Sequence, residues 1–321
     1  MKLKTIVQYI VFLGLAIFMM WYATKGVALD EIKSAIALGN KQFIVMICVV
    51  GILSIVLRAM RWQILIEPLG KKPGFLNTFL SIFIGYGVNF FTPRLGEVAR
   101  CGILSKYEDI PTDKLAGTMI AERLFDLLCL VILITGTLFA EYNKVMDYFL
   151  NLVSKKMGPN GLIYLGIGFG IFVIAAIIGV KFLTSNKGEN KFTAILKNLG
   201  EGIMSVFKMK NRFQFIMHTV LIWGCYWAMT YLGFLALQQT SHLTPDAGFS
   251  VLTFGSLGFL FPFGGAGAYQ LVVSNVLTNL YQIPTTYSTI YGLVSWALQN
   301  GILLIGAFIA FVIFPIVNRE K

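Results

Sequence analysis

Residues 42–60 read QFIVMICVVGILSIVLRAM. From Gln42 to Leu57 nothing is charged, and the apolar side chains follow one another without the polar stripe of a soluble surface helix. About 20 such residues in a helix rise about 30 Å, the thickness of a bilayer's hydrocarbon core. The run closes on Arg58, Arg61 and Trp62, which read as ordinary anchors at a membrane–water boundary. Five further stretches have the same character: 5–23, 124–140, 160–183, 213–238 and 289–315. Lys2 and Lys4 give the first one the flank of a signal peptide. It is long for that role and has no convincing small-residue cleavage site, so it reads as a retained helix.

Over the whole chain 57% of residues are hydrophobic and 13% are charged, about half the charged share of a soluble domain. The net charge of +11 therefore does not point to nucleic acid. The basic residues fall between the apolar runs, where they set topology and meet anionic lipid. Two other apolar regions are short and interrupted. One is 75–92, followed by a polar turn and then 113–122; the other is 248–262, followed by Gly264, Gly265 and Gly267 and then 268–283. If each is a re-entrant hairpin and the N-terminus is cytoplasmic, only Lys25, Lys33, Lys41, Lys144, Lys155 and Lys156 of the 26 Lys and Arg face outward. That is the bias of the positive-inside rule.

The expected fold is an all-α integral membrane protein of about six full transmembrane helices plus two re-entrant broken-helix hairpins, in a single domain spanning 1–321. Threaded this way, 1–141 and 160–317 have the same layout in opposite orientation. Paired Gly/Pro-interrupted segments in inverted halves point to a transporter's central site. The basic loop 184–212 repeats Phe192, Ile195, Leu196, Leu199 and Ile203 at helical spacing, as a helix on the cytoplasmic membrane face would. Gly166 and Gly170 make a GxxxG, a mark of close helix packing. Cys48, Cys101, Cys129 and Cys225 suggest no disulfide framework, and no residue pattern calls for a metal or cofactor.

Three clusters can carry chemistry. In NFFTPRLGEVAR, residues 89–100, Arg94, Glu97 and Arg100 recur every third position, so a helix beginning near Pro93 sets them on one face. Glu97 would then hold the arginines while their free donors, with a helix N-terminus, bind a phosphate near Asn89. The alternative is a structural salt-bridge cluster at the membrane surface. In Glu122-Arg123-Leu-Phe-Asp126 the two acids are four apart and face one way. They suit pairing with Arg94 or Arg100, or proton relay, whereas Arg123 reads as an interfacial anchor. In Pro262-Phe-Gly264-Gly265-Ala-Gly267-Ala-Tyr269-Gln270 the glycines permit a tight turn whose N–H groups can cradle an oxyanion. There, Tyr269 and Gln270 either touch a polar ligand or cap the hairpin.

Taken in order, Arg58-x-x-Arg61-Trp62, NFFTPRLGEVAR, Glu122-Arg123-x-x-Asp126 and Pro262-x-Gly264-Gly265-x-Gly267 resemble the lysylphosphatidylglycerol synthase transmembrane-region family, also called flippase-like domain proteins. The resemblance implies an integral protein of the bacterial inner (plasma) membrane. In the best-known members this region moves an aminoacylated phospholipid between leaflets. Those members also carry a soluble aminoacyl-transferase domain, which these 321 residues do not contain, so lysyl-lipid synthesis is not expected here. Gln270 departs from the acidic residue or histidine of many relatives, and a glutamine takes up no proton.

The expected function is a lipid translocase for a membrane phospholipid or a polyprenyl-phosphate lipid. Arg94 and Arg100 would bind phosphate, Glu97, Glu122 and Asp126 would position them, and the glycine hairpin would form the opposite wall. Two other classes stand beside it. One is a polyprenyl-phosphate-dependent transferase with Glu97 or Asp126 as base. The other is a non-catalytic membrane partner of an envelope-biogenesis enzyme.

Overall fold

A computed structural model describes residues 3–92, 95–147 and 209–319, with Leu150 and Gly158 between them, and side chains from Leu13 onward. The expected span 160–183, its GxxxG and most of the basic loop 184–212 lie outside the described residues, as do Pro93 and Arg94. Among the described residues the chain is helical without strands. It runs as α1 (Leu3–Thr24), α2 (Leu29–Ala37), α3 (Lys41–Ile66), α4 (Phe75–Phe91), α5 (Leu95–Glu108), α6 (Thr112–Ala140), α7 (Arg212–Ala236), α8 (Pro245–Gly258), α9 (Ala268–Tyr281) and α10 (Thr285–Val317). Four of these, α3, α6, α7 and α10, are long and apolar enough to cross a membrane. The protein is an all-α membrane protein.

The first interrupted region does not return where the sequence suggests. Its second arm is α5, not 113–122, which instead forms the first turns of α6. The polar residues Glu97, Lys106 and Glu108 lower the hydropathy of α5, while Gly96, Arg100, Cys101 and Leu104 supply a buried face at helical spacing. That face lies close on α4. Gly96 touches the carbonyl of Gly85 so closely that a Cβ there would collide with it.

The long helix α10 packs against α4 and against α9, and the two hairpins α4–α5 and α8–α9 open at its opposite ends. At the C-terminal end of α10, Asn318 exchanges amide hydrogen bonds of 2.9 and 3.0 Å with Asn77, whose Nδ2 also lies 2.5 Å from Glu108 Oε1. Both arms of the first hairpin thus start and finish there. At the other end the Ser288 hydroxyl is 3.1 Å from that of Thr278, and the Ser274 and Thr289 hydroxyls are 3.0 Å apart. The mouth of the second hairpin is tied to α6 by the Tyr281 hydroxyl, which donates to Glu141 over 2.9 Å. The tips meet between these ends. The Phe90 ring lies 6.4 Å from that of Trp296, whose Nε1 donates to the carbonyl of Gly264 over 2.7 Å. Each hairpin has its own apolar core, one around Trp62, Ile82 and Leu104 and the other around Phe234, Val273 and Tyr291.

A buried guanidinium–carboxylate cluster and its recess

Arg58 and Arg61 are not boundary anchors. Helix α3 continues to Ile66, which carries both arginines and Trp62 into the interior, each 4% exposed or less. Opposite them α6 presents Glu122 and Asp126 one helical turn apart. Arg58 donates to Glu122 Oε1 over 2.8 Å and to Asp126 Oδ2 over 3.2 Å. Arg61 lies 3.1 Å from the same Glu122 oxygen and 2.8 Å from Asp126 Oδ1. From α5, Arg100 donates to the other Glu122 oxygen over 2.9 Å. Helix α7 contributes the Tyr226 hydroxyl, which accepts from Arg58 at 3.0 Å, and Thr219, which accepts from Arg61 at 3.2 Å. Rings cover the charges: Trp62 under Arg100 at 4.6 Å, Phe215 by Arg61 at 5.6 Å and Tyr86 by Arg58 at 5.9 Å. Trp62 is itself pinned by its Nε1, which donates to Thr118 over 2.9 Å.

Among the described residues Glu97 is not the partner of Arg100. It pairs across to Arg123 of α6 at 2.9 Å, while Arg100 turns to Glu122, so these two residues of α5 both link to α6. Arg123 is accordingly an ion-pair partner rather than a plain anchor. Four guanidinium groups face three carboxylates, an excess of one positive charge within the described cluster. Charge at this depth costs several kcal/mol unless it is paired and hydrogen-bonded, and sites that keep it commonly serve a ligand.

A small recess, with room for about one water molecule, opens beside this cluster, lined by Ile82, Gly85, Tyr86, Asn89, Gly96, Glu97, Arg100 and Arg123. The Nε atoms of Arg100 and Arg123, like those of Arg58 and Arg61, are buried and have no hydrogen-bond partner. The Asn89 side chain accepts from the backbone N–H of Gly96 over 2.8 Å, so it caps α5 and takes one of the donors expected to serve an anion. The structure thus brings Asn89, Glu97, Arg100 and Arg123 around one hollow, with Glu122 and Asp126 behind it.

The glycine cluster forms an elbow instead of a wall of this recess. Phe263, Gly264, Gly265 and Gly267 all have positive φ, between 57° and 79°. A Cβ on Gly267 would lie 2.6 Å from the Met19 carbonyl carbon, so α1 rests directly on the elbow. Gln270 Oε1 accepts from the Gly267 N–H over 2.8 Å, which makes Gln270 a helix cap and fills the donor expected for an oxyanion. Tyr269 is 3% exposed, in the core of its own hairpin. Sequence reasoning missed Thr219 and Tyr226 and read Arg58 and Arg61 as anchors first, with a role in guiding a headgroup second. The three-residue spacing of the arginines against the four-residue spacing of Glu122 and Asp126 was the available signal.

The lysylphosphatidylglycerol synthase TM region family matches residues 7–307, so all the motifs above lie inside the match. The chain belongs to this family. A UPF0104 membrane protein of Methanocaldococcus jannaschii is 30% identical over 165 residues, which is 50% of this chain and 45% of that relative. The match therefore spans less than half of its length. A second UPF0104 membrane protein, from Pyrococcus horikoshii, is 20% identical over 260 residues, 73% of this chain and 75% of that relative. Both relatives are archaeal and both are named as membrane proteins. No solved structure matches.

Proposed function

We propose that this family member is a translocase of the plasma membrane for a phosphate-bearing lipid, either a phospholipid or a polyprenyl-phosphate lipid. The observation that carries the reading is Arg100 and Arg123 lining one recess, in a described cluster with one more guanidinium than carboxylate, inside a chain built mostly of apolar helices. Guanidinium donors match phosphate oxygens in number and geometry, and an electrostatic contact shielded from water is worth more than one at a surface. Glu122 and Asp126 lock Arg58, Arg61 and Arg100 into fixed rotamers, so the donors are in place before the headgroup arrives. The acyl or prenyl chains remain in the bilayer, beside the exposed apolar flanks of Leu95 and Val98. Two hairpins entering from opposite ends of α10 suit an inverted-repeat transporter in which one half rocks against the other.

Proteoliposomes carrying a fluorescent phosphatidylglycerol, quenched from outside by dithionite, test this. The wild type is expected to exchange lipid between leaflets. Arg100→Gln, which leaves Glu122 with two arginines, is expected to slow exchange about tenfold or more while eluting as folded protein, as loss of a charged hydrogen bond implies. Exchange at the wild-type rate in that variant refutes the assignment.

A further inference from the structure

Two ion pairs join α5 to α6, and they run in opposite senses. Arg100 of α5 reaches Glu122 of α6, and both side chains are sealed, 4% and 0% exposed. Glu97 of α5 takes Arg123 of α6, and these are 22% and 41% exposed. Glu122 and Asp126 sit behind their guanidinium groups and contribute nothing to the lining of the recess. Glu97 does line it, together with the arginine that it holds. A carboxylate meant only to orient Arg123 has no need to stand on the ligand's side. An anion approaching Arg123 must meet it.

From this placement we infer that Glu97 is a built-in competitor of the headgroup: it occupies Arg123 between turnovers, is displaced by the lipid phosphate, and returns to expel it. The inference rests on the recess being the lipid site. Its chemistry is an exchange of one oxyanion for another on a guanidinium, with no bond made or broken. Exposure decides which pair exchanges. Glu122 serves three arginines in a dry setting and stays, while the half-open Glu97–Arg123 pair is weak enough to give way. The displaced carboxylate also has somewhere to go. Glu97 stands in the first turn of α5, where the positive end of the helix dipole favours an acid. The same exchange frees one of the two ion pairs between α5 and α6, so headgroup binding loosens the first hairpin from the scaffold at the step where it has to move.

A competitor and a positioning residue behave oppositely on removal. Binding of dioctanoyl phosphatidylglycerol, a soluble phosphodiester lipid, is titrated calorimetrically on the detergent-purified full chain, and exchange rates are measured in proteoliposomes. Glu97→Gln is expected to bind about fivefold more tightly, the scale of a half-exposed ion pair. Its maximal exchange rate is expected to fall because release slows. In Glu97→Gln combined with Arg123→Gln the gain in affinity is expected to vanish. Should the amide variant not fold, Glu97→Ala removes the same carboxylate and is expected to give the same tightening. Unchanged or weaker binding in the variant that folds overturns the inference, and weaker binding restored by Glu97→Asp would make Glu97 a positioning residue. Wild-type protein that exchanges no lipid sinks the transport assignment and this inference with it. Normal wild-type exchange without tightening in the variant sinks this inference alone.

Discussion

The two re-entrant hairpins solve one problem with different materials. Each must hold two short helices in an apolar setting, where unsatisfied backbone groups and loose charge are costly. The hairpin α4–α5 is joined to α6 by charge: Arg100 to Glu122 and Glu97 to Arg123. The hairpin α8–α9 carries Asp246 alone as a charged residue, at its mouth, and is held by close backbone approach at Gly258, Gly265 and Gly267 and by the Gln270 cap. Its mouth is tied by Tyr281 to Glu141, which also pairs with Lys144 at 2.8 Å. Charge pairs can be exchanged for an incoming anion, whereas packed glycines cannot. The hairpin built from charge is therefore the one suited to meet a headgroup, and the hairpin built from glycine is suited to act as a fixed pivot. Removing one charge should unsettle the first hairpin by loss of compensation, and adding one methyl group should unsettle the second by collision.

The largest effect is expected at Glu122. It accepts from Arg58, Arg61 and Arg100 while wholly buried, so Glu122→Gln leaves Arg58 and Arg61 sharing Asp126 and takes from Arg100 the carboxylate it is paired with. Breaking a buried ion pair by removing one partner costs about 3–5 kcal/mol. Thermal unfolding followed by fluorescence-detected size exclusion should show a large fall in stability, with little folded protein at 37 °C. Unfolding at the wild-type temperature would mean that the cluster does not support the fold, and the contrast between the hairpins would fail.

Gly267→Ala comes next. The new Cβ would strike the backbone of Met19 and Met20, at a residue whose φ is +79°. A forced positive φ together with overpacking costs about 2–3 kcal/mol. The same assay should record a smaller loss than in Glu122→Gln. A variant as stable as the wild type would show that α1 does not rest on the elbow.

Much of this was legible in the amino-acid order, for physical reasons that also mark where reading stopped. Uninterrupted apolar length identifies α3, α7 and α10, because only lipid tolerates it, and the Pro–Gly run at 262–267 announces an elbow, because few other residues accept positive φ. Hydropathy ends a span at its first charge, so Arg58 and Arg61 look like a boundary although α3 runs on to Ile66 and buries them. A helix beginning near Pro93 was legible from the spacing of Glu97 and Arg100, but not its place as the second arm of the hairpin, since its charges lower its hydropathy. The spacing of Glu122 and Asp126 showed that they share a face. Partner choice was illegible: no spacing in the sequence links Glu97 to Arg123, which only the packing of α5 on α6 brings to it. Gln270 reads in the sequence as ligand-binding or capping, and its oxygen accepts from the Gly267 N–H over 2.8 Å.

The smallest effect belongs to the residue that joins the two regions. Trp296 stands on α10 between the tips, its ring beside Phe90 of the first hairpin and its Nε1 on the Gly264 carbonyl of the second. Trp296→Phe keeps an aromatic face for Phe90 and deletes the hydrogen bond, leaving a half-buried carbonyl without its donor. Such a loss costs about 1 kcal/mol, which for a chain of this size is a fall of about 2–4 °C in melting temperature. Trp296→Leu removes the ring contact as well and is expected to fall further. The pair of variants therefore separates the two attachments. If phenylalanine proves as stable as tryptophan, the elbow is held by its glycines alone and the tips are coupled only through their rings. If leucine and phenylalanine fall equally, the hydrogen bond carries the whole connection, and movement of the first hairpin reaches the second only through α10.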